Sequence, residues 1–185
     1  MNQKVLHNET GDDLLSNYST LFDNVKEDYI FILEDDDVYL PTYCDKLYNS
    51  LESNLLVGYY PQHNWYLNNS YKILTNQTFA ALSCTAFHKS LIPIFQLIVG
   101  GGRIWLDDVI WQYCIGQKIP IELFPQYSKV QQVGIKGGGG ATQSHLETGQ
   151  PDDGSILREW IGDYADNYSE DFNLVNRNSI PSPSA

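Results

Sequence analysis

The 185 residues carry 42% apolar and 13% aromatic side chains, the composition of a globular chain long enough for one sizeable core. With 23 acidic residues against 11 basic ones the net charge is −12, which argues against nucleic acid or an anionic membrane as partner and requires a cationic bridge for any phosphate ligand. No stretch reaches the roughly 18 apolar residues of a membrane span, the polar start Met1 to Asp13 is not a signal peptide, and Cys44, Cys84 and Cys114 follow no metal or disulfide spacing and read as free thiols.

Leu14, Leu15, Tyr18, Leu21 and Phe22 recur at helical spacing, so Asp12 to Val25 is predicted as a short helix leading into a strand over Tyr29 to Leu33. Pro41 opens a second helix with Tyr43, Leu47 and Leu51 on one face. Leu55 to Tyr60 reads as a strand, the loop Pro61 to Trp65 places His63 at the surface, and Tyr71 to Thr75 with Thr78 to Ser83 reads as a β pair. A buried helix is expected over Phe87 to Val99, begun by His88 and with Pro93 in its first turns. Gly100 to Gly102 break the chain before a third amphipathic helix around Trp105 to Tyr113, with Ile104, Val109, Trp111 and Tyr113 as its apolar residues. Ile119 to Phe124 and Lys129 to Val133 are the last predicted strands. Beyond Gly137 to Gly140 the chain turns to Gly, Ser, Asn, Asp and Pro, with one weak helix near Ile156 to Tyr164.

Chemistry concentrates in the run Glu34, Asp35, Asp36 and Asp37 at the carboxyl end of the Tyr29 strand. Four adjacent acids repel one another and raise each other's pKa, so placing them beside an apolar core is costly unless something positive is bound. Hard carboxylate oxygens at the end of an α/β strand suit a divalent metal and a phosphate-bearing ligand. Strand alternation sends Glu34 and Asp36 to one side and Asp35 and Asp37 to the other. A second acidic pair, Asp107 and Asp108, follows the glycine break at the mouth of a helix, where a loop can carry a general base.

The segments Ile32 to Pro41, Ser83 to Phe87, Trp105 to Trp111 and Pro125 to Gly134 together resemble, in motif, order and spacing, the metal-dependent GT-A glycosyltransferases. Within these the chain is most similar to N-acetylglucosaminyltransferases, whose acidic motif reads Glu-Asp-Asp with a proline shortly after. The resemblance implies an α/β fold, a Rossmann-like mixed sheet flanked by helices. It also implies transfer of a sugar from a nucleotide-diphosphate donor such as a UDP-sugar to the hydroxyl of a glycan or other acceptor, by single displacement. Asp36 would be the direct ligand of a Mn²⁺ or Mg²⁺ ion, with Asp37 the neighbouring metal candidate, and Glu34 and Asp35 would lie towards the nucleoside. Asp107 would be the general base, with Asp108 the alternative. Gln132 stands where the family often has a histidine on metal or phosphate, and a neutral amide is a poorer ligand there.

The similarity runs from Asp12 to about Gly140 and matches the second half of a GT-A domain, since the family places further nucleotide-binding βαβ units ahead of the acidic strand. An amino-terminally truncated GT-A domain over residues 1–136 and a partly disordered tail over 137–185 are therefore expected. As written the chain would stay in the cytoplasm, whereas a lost amino-terminal anchor would place it in the Golgi lumen. Two other classes compete. A non-catalytic acidic module would bind a metal or a partner protein, and a haloacid-dehalogenase-like phosphatase would use Asp35 and Asp37, although Tyr39 stands where that motif has threonine.

Overall fold

Tyr18 and Phe22, one helical turn apart, face inward from the first helix, and the same logic of inward apolar residues organises the elements that follow. The computed structural model describes residues 14–34, 37–75, 78–102, 106–136 and 149–168. In chain order these form α1 (Leu14–Asn24), β1 (Tyr29–Phe31), β2 (Val38–Tyr39), α2 (Tyr43–Ser50), β3 (Leu56–Tyr60), β4 (Gln62–Tyr66) and β5 (Ser70–Leu74). There follow β6 (Thr85–His88), α3 (Ile92–Gly100), α4 (Leu106–Gly116), β7 (Ile121–Pro125), β8 (Gln132–Lys136), β9 (Gln150–Pro151) and α5 (Ser155–Ile161). Two sheets result, one in the order β1-β6-β3-β7 and the other in the order β2-β8-β4-β5-β9. This mixed α/β architecture is the expected GT-A-like, Rossmann-type fold class.

The chain divides into two compact units. The first takes up the described parts of Met1–Ile32, Cys44–Gly58 and Phe79–Phe124. β6 runs antiparallel to both β1 and β3, pairing Ile30 with Phe87 and Leu56 with Phe87. Phe22, Phe87 and Phe95 meet in its core, with ring centroids 4.3 to 6.3 Å apart. Pro93 sits in the first turn of α3, as its missing N–H requires. Gly58 lies in β3 beneath Ala80, Cys84 and Trp111, and a Cβ there would stand 2.5 Å from the Ala80 Cβ and 3.0 Å from the Cys84 carbonyl oxygen.

The second unit takes up the described parts of Leu33–Tyr43, Tyr59–Thr78 and Pro125–Ala185. β8 is central to its sheet, antiparallel to β2 and parallel to β4, and β4 pairs with β5 from Gln62↔Leu74 to Tyr66↔Ser70. Trp65, Val133, Ile135, Leu157 and Ile161 form its core. α5 is tied down through Asp152, whose carboxylate accepts from the Trp65 indole N–H at 3.0 Å and from the Ile156 N–H at 3.1 Å. The segment expected as a tail with one weak helix near Ile156 to Tyr164 supplies β9, α5 and three core residues, Leu157, Ile161 and Ala165, while residues 137–148 and 169–185 lie outside the described residues.

Four local expectations are corrected. Residues 62–66 form a strand whose backbone pairs with β5 along one edge and with β8 along the other, and the polar His63 and Asn64 are buried instead of facing water. The partner of β5 is therefore β4, and the strand expected over Thr78 to Ser83 is found at Thr85–His88, preceded by a 3₁₀ turn at Leu82–Cys84. The last strand begins three residues later than predicted, at Gln132. His88 ends β6 and caps the short turn after it by accepting from the Ser90 N–H, so the buried helix starts only at Ile92. Among the described residues no helix is long and apolar enough to cross a membrane.

His63 is only 1% exposed, against the surface position expected, and its ring packs edge-on to Trp160 at 4.8 Å. Its Nδ1 lies 3.1 Å from the Pro61 carbonyl, which fixes the neutral tautomer with the proton on Nδ1. Burial pushes its pKa down from 6.5 to about 4, opposed by the Pro61 carbonyl. As the pH falls from 6.5 towards 4 the unfolded chain takes up a proton that the folded chain refuses, so stability drops through that window by about 3 kcal/mol from this residue. Urea titrations at pH 7 and pH 4.5 should show His63→Gln losing less stability than wild type; parallel losses would refute the assignment. Gly58→Ala should cost about 1–3 kcal/mol in the same assay at pH 7, since the added methyl meets backbone and core atoms that cannot swing away.

Candidate donor-side site

Strand alternation in β8 sends Val133 and Ile135 into the core with Trp65 and turns Gln132, Gly134 and Lys136 to the opposite face. β4 runs alongside in parallel, bringing Asn64 beside Gly134 and Tyr66 beside Lys136. Onto this face comes the chain leaving β1. A turn closed by the Asp37 N–H on the Glu34 carbonyl at 3.3 Å returns it into β2, and the Glu34 N–H donates to the Tyr39 hydroxyl at 2.8 Å.

The Lys136 ammonium stands at the centre, 3.0 Å from Asp37 Oδ1 and 3.2 Å from Glu34 Oε2. Its side chain is 8% exposed and that of Asp37 is 0% exposed, whereas Glu34 retains 39%. Asp37 Oδ1 also accepts from the Ile135 N–H at 3.1 Å, and its Oδ2 accepts from the Gln132 side-chain amide at 2.7 Å. The positive charge that the acidic run requires is therefore supplied in part by the protein itself. Among the described residues Lys136 is the one buried lysine or arginine.

Glu34, Asp37 and Gln132 are thus gathered into one cluster, with Gln132 serving as the clamp on Asp37. Asp35 and Asp36 lie outside the described residues. Lys136 was missed because the last strand was placed too early, which left it at the edge of the glycine run; the alternation of Gln132, Gly134 and Lys136 is the signal that finds it. Asn64 was missed with β4. Its Oδ1 is buried without a hydrogen-bond partner, and a Cβ on Gly134 would fall 2.6 Å from that oxygen and 2.8 Å from Lys136 Cε. Only glycine lets Asn64 and the lysine stem pack this closely on the strand.

These residues decide which acids suit a divalent cation. Asp37 does not, since both oxygens are engaged and its side chain is sealed. Glu34 keeps a half-exposed carboxylate at the exit of β1, although among the described residues no three acidic, histidine or cysteine side chains stand together to hold a metal ion.

The second acidic pair belongs to the first unit. Leu106, Ile110, Trp111 and Cys114 bury one face of α4, while Val109 and Tyr113 fall off that face and Ile104 and Trp105 lie outside the described residues. Asp107 and Asp108 occupy the first helical turn, where the helix dipole favours anions. Asp108 is exposed. Asp107 is half-buried, and its Oδ1 accepts from the Asp108 N–H at 2.9 Å. Burial raises the Asp107 carboxyl above the ordinary 3.8, against the opposing pull of that backbone N–H.

A family model described as glycosyl transferase family 2 matches residues 2–113, a span that contains both acidic groups. No curated protein matches the chain.

The buried pair has a stability signature. Lys136→Met leaves the Asp37 carboxylate sealed and unpaired and should cost about 3–5 kcal/mol, whereas pairing it with Asp37→Asn should recover most of that loss. A double-mutant cycle by urea unfolding measures the coupling, and additive single losses would show that the pair is not the anchor of this face.

Proposed function

The chain belongs to glycosyl transferase family 2, and from that premise we propose that it moves a hexosyl or N-acetylhexosaminyl group from a UDP-sugar to an acceptor hydroxyl. The observation that carries the reading is the acidic run at the exit of β1, where Glu34 offers a half-exposed carboxylate already holding a cation. Glu34 and Asp36 would hold Mn²⁺ or Mg²⁺, and when bound such an ion neutralises the charge of a leaving diphosphate. Asp35 would serve the nucleoside side, and Asp37 acts as the internal anchor of the loop. The similarity to N-acetylglucosaminyltransferases supports an N-acetylhexosamine donor.

Asp107 is the base. The acceptor hydroxyl gives its proton to the Asp107 carboxylate as its oxygen attacks the anomeric carbon. The bond from that carbon to the diphosphate breaks in the same displacement, and its electron pair leaves with the nucleoside diphosphate. A single displacement inverts the anomeric centre. The half-burial that raises the Asp107 pKa makes it a better proton acceptor than an ordinary surface carboxylate.

Turnover of a panel of UDP-sugars, with Mn²⁺ and with chelator, tests the reading. Asp107→Asn should lower kcat by about 10²-fold or more while UDP affinity is retained, and Asp108→Asn should stay near wild type. Because the base works deprotonated, kcat/KM of the wild type should fall as pH drops through the raised Asp107 pKa, giving an acid limb above the ordinary carboxylate value of 3.8. Full activity in Asp107→Asn would remove the assigned base, and a folded wild type that neither binds UDP nor turns over any UDP-sugar would remove the function.

A further inference from the structure

A buried ammonium is expensive unless its charge is matched, and in this cluster Asp37 alone suffices to match it. Among the described residues, the two carboxylates on Lys136 differ in kind. Asp37 is sealed and held at both oxygens, while Glu34 stands 39% exposed at 3.2 Å. The first contact is structural. The second is an ion pair at a rim, the kind that water and competing ions weaken most. The Lys136 stem packs on the bare backbone of Gly134 beside Asn64, whose Oδ1 is buried without a hydrogen-bond partner and so offers a further acceptor near the ammonium.

We infer that Lys136 binds the donor diphosphate by exchanging its Glu34 contact for a phosphate oxygen, with Asp37 holding the ammonium in place throughout. The inference rests on the donor site proposed above and assigns it a residue that lies beyond the span matched by the family model. The exchange conserves charge pairing: Glu34 is freed for a cation, and the phosphate replaces it on the lysine. It answers the electrostatic difficulty of a chain with net charge −12 receiving a polyanion beside four consecutive acids. An N⁺–H to phosphate bond is charge-assisted and stronger than the half-solvated carboxylate contact that it replaces. Gly134 keeps the movement possible, because any side chain there would press on the lysine stem and on Asn64.

The test is calorimetric titration of UDP and of uridine, each with Mn²⁺, into the full chain. The proteins are wild type, Lys136→Arg, Lys136→Met, and the charge-neutral Asp37→Asn/Lys136→Met pair, which keeps the cluster folded where the single variant fails. The expected result is that the neutral pair binds UDP at least about tenfold more weakly than wild type while its uridine affinity is unchanged, and that Lys136→Arg keeps most of the UDP affinity. A purely structural lysine would weaken uridine and UDP alike, and that outcome overturns the inference. So does equal UDP affinity in wild type and the neutral pair, which leaves the donor site standing without Lys136. No UDP binding by wild type at all is the separate failure of the donor site itself, and it overturns both.

Discussion

The second unit depends on one buried ion pair. Lys136 and Asp37 lie 99 residues apart in sequence and 3.0 Å apart in space, and neither can be buried without the other. Once they meet, the register of β2 on β8 follows, with Val38 opposite Val133 and Tyr39 opposite Gln132. The Gln132 amide and the Ile135 N–H then have a carboxylate to donate to, and the Tyr39 hydroxyl comes within reach of the Glu34 backbone. The loop carrying the acidic run is thereby held at its far end by the sheet that it borders. The cost of desolvating two charges is met by specificity, since a one-residue slip of β8 would turn Lys136 into the apolar core and Ile135 out of it.

This arrangement explains how four consecutive acids are tolerated. Mutual repulsion calls for a positive charge, and the fold provides one from within, on a strand more than a hundred residues from Glu34. One ammonium cannot match four carboxylates, however. Asp37 consumes it almost fully, Glu34 shares it weakly, and an excess of negative charge remains at the exit of β1. The protein thus combines a fixed, neutralised base with an electronegative rim. Only the rim has the accessibility that a ligand or an external cation requires.

The parts of the fold that were legible in the sequence are those where apolar spacing reports burial directly. Tyr18 and Phe22 in α1 and Leu47 and Leu51 around α2 obey that rule, whereas of the apolar residues expected to face inward from α4 Trp111 is buried and Val109 and Tyr113 are not. It failed where polar residues are buried. β4 reads Gln-His-Asn-Trp-Tyr, and no alternation of apolar and polar residues marks it as a strand; its backbone is paired by β8 and β5 and its His63 is covered by Trp160, tertiary facts without local trace. Missing β4 misassigned the partner of β5, and starting β8 three residues early hid Lys136. The acidic run was legible as a charge problem, but the internal cation that partly solves it was not. Ion pairing across 99 residues leaves no periodicity to read.

The same physics separates the two acidic groups. Asp107 owes its raised pKa to partial burial at a helix start, and no lysine or arginine stands among the described groups that shift it. Asp37 is instead sealed among an ammonium, a side-chain amide and a backbone N–H. Glu34 lies between these extremes, paired but exposed. Three carboxylates with similar intrinsic acidity thus stand in three environments, half-buried, sealed and solvent-facing, set by how much water each retains and by what donates to it. That distinction follows from burial and partner identity.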